Sequence, residues 1–135
     1  MKTRTHLGTP IPLRVGRAAF LSIVAALLAT GVIGGLLRAG VAVPVPGDSA
    51  WPGRAVSAHA FLMICGFMGT VIAIERAVAV KERWAFAAPA ASALAGVLML
   101  AGMPAAAAWL AVLASLAFIA VNATVVSRQR AAHTA

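Results

Sequence analysis

The sequence predicts an all-α transmembrane four-helix bundle, antiparallel in up-down order, with both termini cytoplasmic. Three observations lead there. Ala18–Leu37 and Ala55–Ile74 each give 20 positions without a charged side chain, and Trp84–Ser127 gives 44, punctuated by Gly102–Met103–Pro104. A hydrocarbon core about 30 Å thick needs about 20 apolar residues of helix, so the chain holds four spanning lengths. The composition is 62% hydrophobic and 10% charged, where a soluble domain carries about 25% charged residues. The basic residues sit between the apolar stretches. Lys2, Arg4, Arg14, Arg17, Arg76, Lys81, Arg83, Arg128 and Arg130 fall on one side and Arg38 and Arg54 on the other, nine against two. The positive-inside rule puts the richer side in the cytoplasm.

The net charge of +8 does not indicate nucleic acid, because the cations form no stripe on one element and lie at helix ends instead. The alanine-rich, arginine-over-lysine composition points to a bacterial cytoplasmic (inner) membrane crossed several times. Residues 1–16 read as an irregular, basic cytoplasmic tail with Pro10 and Pro12, and Ile11–Leu13 as a short interfacial segment. The first helix, about 17–39, has a full spanning length and no small-x-small site after a short hydrophobic region. It therefore reads as retained rather than cleaved. Its Gly31 and Gly35 make a G-x-x-x-G spacing, joined by Gly34, which lets another helix approach closely.

Residues 40–53 form the external loop, where Pro44, Pro46, Gly47 and Pro52 oppose regular helix. Asp48 is solvated there and Trp51 marks the outer interface. The second helix, about 53–80, exceeds the membrane requirement, so Glu75 and Arg76 emerge at its inner end. Lys81–Arg83 is a tight connection to Trp84 at the inner interface. The third helix, about 84–102, tolerates Pro89 in its first turns. The fourth, about 105–128, starts beside Pro104, a residue suited to a first helical turn. Residues 129–135 read as a cytoplasmic tail. Short connections make helices two to four antiparallel neighbours. The alanine-rich third and fourth helices share no evident pattern. Arg38 and Arg54 are expected to snorkel to headgroups, and Asn122 to bond between helices. The single cysteine, Cys65, lies mid-span, makes no intramolecular disulfide and reads as a packing residue.

The candidate site is on the second helix. His59 is the one clearly ionisable residue inside a span, roughly 7 Å below the outer helix end at 1.5 Å per residue. Polar groups at such depth are expensive and turn toward protein. At about 100° per residue, Met63 lies about 40° from His59, and Gly66 and Thr70 about 20°. The four form a stripe of imidazole, thioether, bare backbone and hydroxyl, on which a flat macrocycle ligated by His59 would rest against Gly66. The plainer reading of His59 is a hydrogen bond to a backbone carbonyl or to Ser57, or exposure near the interface.

The segment His59-Ala-Phe-Leu-Met-Ile-Cys-Gly-Phe-Met-Gly-Thr-Val-Ile-Ala-Ile-Glu-Arg-Ala-Val-Ala resembles a stretch in bacterial polytopic membrane proteins. Those proteins are distantly similar to the NnrS family and to the catalytic subunit of haem–copper oxidases. The resemblance covers about 25 of the 135 residues and rests on an H-x-x-x-M-x-x-G-F pattern. It implies His59 as an axial haem ligand and metal-binding residue. In the larger families the opposing haem ligand and the copper ligands come from later helices. The chain is thus expected to be either the N-terminal part of a larger haem–copper-like protein or a complete small relative. Six-coordinate haem takes a second axial ligand. His6 and His133 fall on the cytoplasmic side, so that ligand would come from another subunit, a symmetry mate or a C-terminal half.

No phosphate loop, carboxylate pair or nucleophile–base pair is present. The functional alternatives are therefore a haem-associated membrane protein, or a non-catalytic structural or accessory subunit that meets a second copy or other membrane subunits through its Gly/Ala faces. A small transporter is disfavoured, because Glu75 sits at the inner boundary rather than mid-membrane, where a coupling carboxylate is needed. Glu75 reads as a surface charge or ion-pair partner.

Overall fold

The described residues form four long helices and no strand. The structure, a computed structural model, describes residues 11–44 and 50–133. The expectations for residues 1–10, including His6, and for Asp48 lie outside that range. Helix α1 is Ile11–Arg38 and α2 is Trp51–Val80. A 3-10 turn, Arg83–Phe86, leads into α3, Ala87–Leu100. Helix α4 is Pro104–His133. All four hold stretches long and apolar enough to cross a membrane, from 18 residues in Arg83–Leu100 to 30 in Trp51–Val80. The up-down order follows from contacts at the ends: Arg54 at the start of α2 reaches Leu100 at the end of α3, and Arg128 late in α4 reaches Val80 at the end of α2.

Both outer helices are longer than the sequence suggested. Helix α1 begins at Ile11 rather than 17, which takes the Ile11–Leu13 segment into its first turn. Pro12 is no obstacle, because a first turn has no intrahelical partner for its N–H groups. Helix α4 runs to His133 rather than 128, so residues 129–133 are helical. The stops are cleaner. Gly40 (φ 80°) and Gly102 (φ 82°) lie in the left-handed region. Val41 N–H bonds Leu36 O and Gly40 N–H bonds Leu37 O, and the same pair of bonds joins Met103 to Leu98 and Gly102 to Met99. These two bond patterns are Schellman ends, which need a residue without a Cβ penalty at the left-handed position.

Two small-residue clusters form the interior. Leu27, Ala58, Leu62 and Ala93 pack together with Phe20, Met99 and Leu100. Nearer the basic end, Ala77, Val80, Ala85 and Val121 pack with Val125. In a membrane, lipid tails would be as apolar as these side chains, so that close van der Waals contact rather than hydrophobic transfer would hold such helices together. Helix α4 contributes one narrow seam. Ala107, Ala114 and Val121 are buried at a seven-residue spacing, and Ala111, Phe118 and Val125 are half-buried four residues after each. That is the heptad of a left-handed helix crossing. Only 11% of the most apolar part of α4 is buried, against 28% in α1 and in α2. Trp109, Leu113, Leu116 and Ile119 point outward.

Candidate functional site

The α1–α2 contact is built from three glycines. A Cβ on Gly34 would collide with the carbonyl of Ala55. A Cβ on Gly31 would lie 2.8 Å from Met63 Sδ, and one on Gly35 would lie 2.6 Å from His59 Cε1 and 2.9 Å from Nδ1. The two side chains thus seat in successive notches of the G-x-x-x-G pair, with the Gly34–Ala55 backbone approach beside them. His59 Nδ1 donates to Gly31 O at 2.7 Å. A carbonyl can only accept, so the bonding proton is on Nδ1, and in the neutral tautomer that donates there the acceptor is Nε2. The bond is the backbone-carbonyl partner that the plainer reading of His59 foresaw, whereas Ser57 hydrogen-bonds Arg54 O in its own helix.

The expected four-residue stripe is packed against neighbouring helices along its length. His59 and Met63 face the notches of α1. Gly66 is buried where three helices meet: a Cβ there would stand 3.5 Å from Gly96 Cα of α3 and 3.7 Å from Leu27 Cδ1 of α1. Thr70 is fully buried and donates to Gly66 O at 2.7 Å. Two features mark its lower half. Leu62–Met68 is a π-helical segment, in which Gly69 N–H bonds Ile64 O five residues back. Such turns are under-wound relative to an α-helix, so an α-helical angular count overruns beyond them. In addition, the small pair Gly66 and Gly96 draws α3 onto the face where a macrocycle would lie. With Leu27 and Gly96 in contact with Gly66, a haem flat against Gly66 does not fit this packing.

Ser92 of α3 marks the π segment from outside, donating to Cys65 O. A hydroxyl from a neighbouring helix is a recognised partner for backbone groups disturbed inside a span. Ser92 and Gly96 were not singled out from the sequence, although their four-residue spacing beside Gly66 and Gly69 is a small-x-x-x-small signal. Asn122 departs from expectation: its Nδ2 donates to Phe118 O of the same helix, not to a neighbour. The arginines also do more than reach for headgroups. Arg54 Nη1 donates to Leu100 O at 3.1 Å. Arg128 Nη1 donates to Val80 O at 2.7 Å, and its Nη2 pairs with Glu82 at 3.2 Å. Each guanidinium caps the carbonyl end of another helix, where the helix dipole favours a cation. Glu75 is exposed and has no ion pair among the described residues. Arg76 Nε is buried with no hydrogen-bond partner among them.

Grooves between the helices cut the surface among the described residues. One, of about 280 Å³, lies between α2, α3 and α4 and includes Cys65, Gly69, Ser92 and Ser115. Another, of about 800 Å³, lies between α1, α2 and the turn before α3, and includes Arg17, Phe20, Ile74 and Phe86. Neither is lined by His59, Met63, Gly66 or Thr70. No group of three or more His, Cys, Asp or Glu side chains is placed to hold a metal ion among the described residues.

The sequence model of a family described as a domain of unknown function (DUF8744) matches residues 17–135. The chain belongs to that family. No curated protein and no solved structure matches it.

Proposed function

We propose that this member of the DUF8744 family is a non-catalytic accessory subunit of a membrane complex. We place it in a bacterial cytoplasmic membrane with both termini on the cytoplasmic side. One observation carries the reading: polar side chains within the apolar helices are engaged by backbone carbonyls. His59 bonds Gly31, Thr70 bonds Gly66 and Ser92 bonds Cys65. Ser115, Asn122 and Thr124 each bond the carbonyl four residues back. A proton or substrate pathway needs polar groups turned toward a shared cavity. Here Ser92 and Ser115 share one groove, but each already bonds a carbonyl, and His59, Thr70, Asn122 and Thr124 line neither groove and tie helices or turns together. The outward face of α4, around Leu113 and Leu116, is the surface for a second copy or another subunit. The nine-to-two division of basic residues supports the orientation.

A second reading, haem association through His59, is favoured by one observation. The Nδ1 bond to Gly31 O fixes the tautomer that leaves Nε2 as an electron-pair donor, as second-shell carbonyls do for ligating histidines. In that reading the chain is part of a haem–copper-like assembly, and the second axial ligand comes from another chain.

A visible absorption spectrum of the detergent-purified chain, with haem supplied, separates the two. The accessory reading expects no Soret band above free haem. A band lost in His59→Ala would replace it with the haem reading. Blue-native electrophoresis of gently solubilised native membranes tests the partner directly. Migration within a larger complex is expected, and migration of the 13.6 kDa chain alone would contradict an accessory role.

A further inference from the structure

We infer that the groove between α1 and α2 at the basic end of the bundle holds one anionic phospholipid, its phosphate on Arg17 and an acyl chain along Phe20, Leu21, Ile74, Val78 and Phe86. The inference rests on the chain spanning a membrane. The groove has a structural cause. The glycine notches pin α1 to the first part of α2, at Gly34–Ala55, Gly35–His59 and Gly31–Met63. Toward the opposite end α1 stays on Trp51–Met68 and α3 rather than following Gly69–Val80. The two helices therefore diverge and leave a wedge of about 800 Å³, within the usual range for a ligand site of roughly 300–1,000 Å³.

The lining selects the occupant. Apart from the Gly16 backbone and Arg17, every lining residue is a large apolar side chain, which suits a hydrocarbon chain. Arg17 is the single charged residue of the lining and stands one turn before Phe20 and Leu21 in α1. That end of the bundle is basic: among the described side chains it carries Arg17, Arg76, Lys81, Arg83 and Arg128, with Glu75 and Glu82 as the acidic ones. Glu82 is already paired with Arg128. Basic pockets between spans at a membrane surface favour anionic headgroups, and a guanidinium matches a phosphate in two-point geometry.

Native mass spectrometry of the full chain in detergent, titrated with phosphatidylglycerol or with phosphatidylcholine of the same acyl chains, tests this. One phosphatidylglycerol is expected to be retained about fivefold more tightly than phosphatidylcholine, the gain of one cation at the surface. Arg17→Gln should bring the two lipids level, while Arg38→Gln at the other end leaves the preference intact. Val78→Trp, which fills the wedge, should lower retention of both. Equal retention by the native chain, or a preference that survives Arg17→Gln in a helical, monodisperse protein, would overturn the site. Loss of the membrane premise would show differently, as a protein monodisperse without detergent.

Discussion

At the scale of single residues, His59 acts as a clamp. Its ring fills the notch over Gly35 and its Nδ1 proton goes to Gly31. Interhelical bonds in membranes contribute about 0.6 kcal/mol on average, so His59→Ala should lower the thermal stability of the detergent-solubilised chain by about 1 kcal/mol, bond and packing together. Gly35→Val should cost more, about 1–3 kcal/mol, because it forces the imidazole out against packed backbone. Circular dichroism melts of the two variants check the order; a Gly35→Val protein as stable as the native one would refute the notch. The sequence already exposed half of this arrangement. Gly31, Gly34 and Gly35 announced a close approach, and His59 announced a polar group in need of a partner. The pairing itself was hidden, because which helix meets a G-x-x-x-G face depends on topology and crossing angle, not on either segment alone.

At the scale of elements, α2 departs most from an ideal rod. Its π segment, Leu62–Met68, is stabilised from α3 by the Ser92 hydroxyl on Cys65 O and sealed by Leu27 over Gly66 and Gly96. Ser92→Ala should cost about 0.5–1.5 kcal/mol. Leu27→Ala should cost about 2 kcal/mol or more, since a fully enclosed side chain leaves a void, while Leu21→Ala, 59% exposed, should be near neutral. Unfolding of the three variants in mixed micelles gives the comparison, and equal effects at positions 21 and 27 would remove Leu27 from the core. The π segment was not legible from the sequence: it is a packing response around Gly66, Gly69 and Gly96, whereas the angular count assumed uniform α-turns. The heptad of α4 was hidden for another reason. Ala107 and Ala114 stand among many alanines, so the buried ones do not stand out. Ends were legible where chemistry fixes them, at Gly102 and Pro104. They were not legible at Ile11 and His133, where the chain simply continues as helix beyond the uncharged span.

At the scale of the whole molecule, the arginine caps tie the two ends of the bundle. Arg54 holds the end of α3, and Arg128 holds the end of α2. Each is expected to contribute about 0.3–1 kcal/mol through the helix dipole, so Arg54→Gln and Arg128→Gln should lower the melting midpoint modestly and additively, being at opposite ends. A loss in the double variant far from the sum of the two would place them in one coupled network instead. The bundle as a whole leaves Leu113, Leu116, Ile119, Val78, Leu94 and many other apolar side chains facing outward, more than water tolerates on a monomer. The central claim is that hydrocarbon is the surrounding medium of these four helices. Its most direct test is carbonate washing of membranes carrying the expressed chain, followed by size-exclusion chromatography with and without detergent. The account predicts that the chain stays in the membrane pellet and runs as a single species only when detergent is present. A chain released by carbonate that runs as a single species in plain buffer would contradict it.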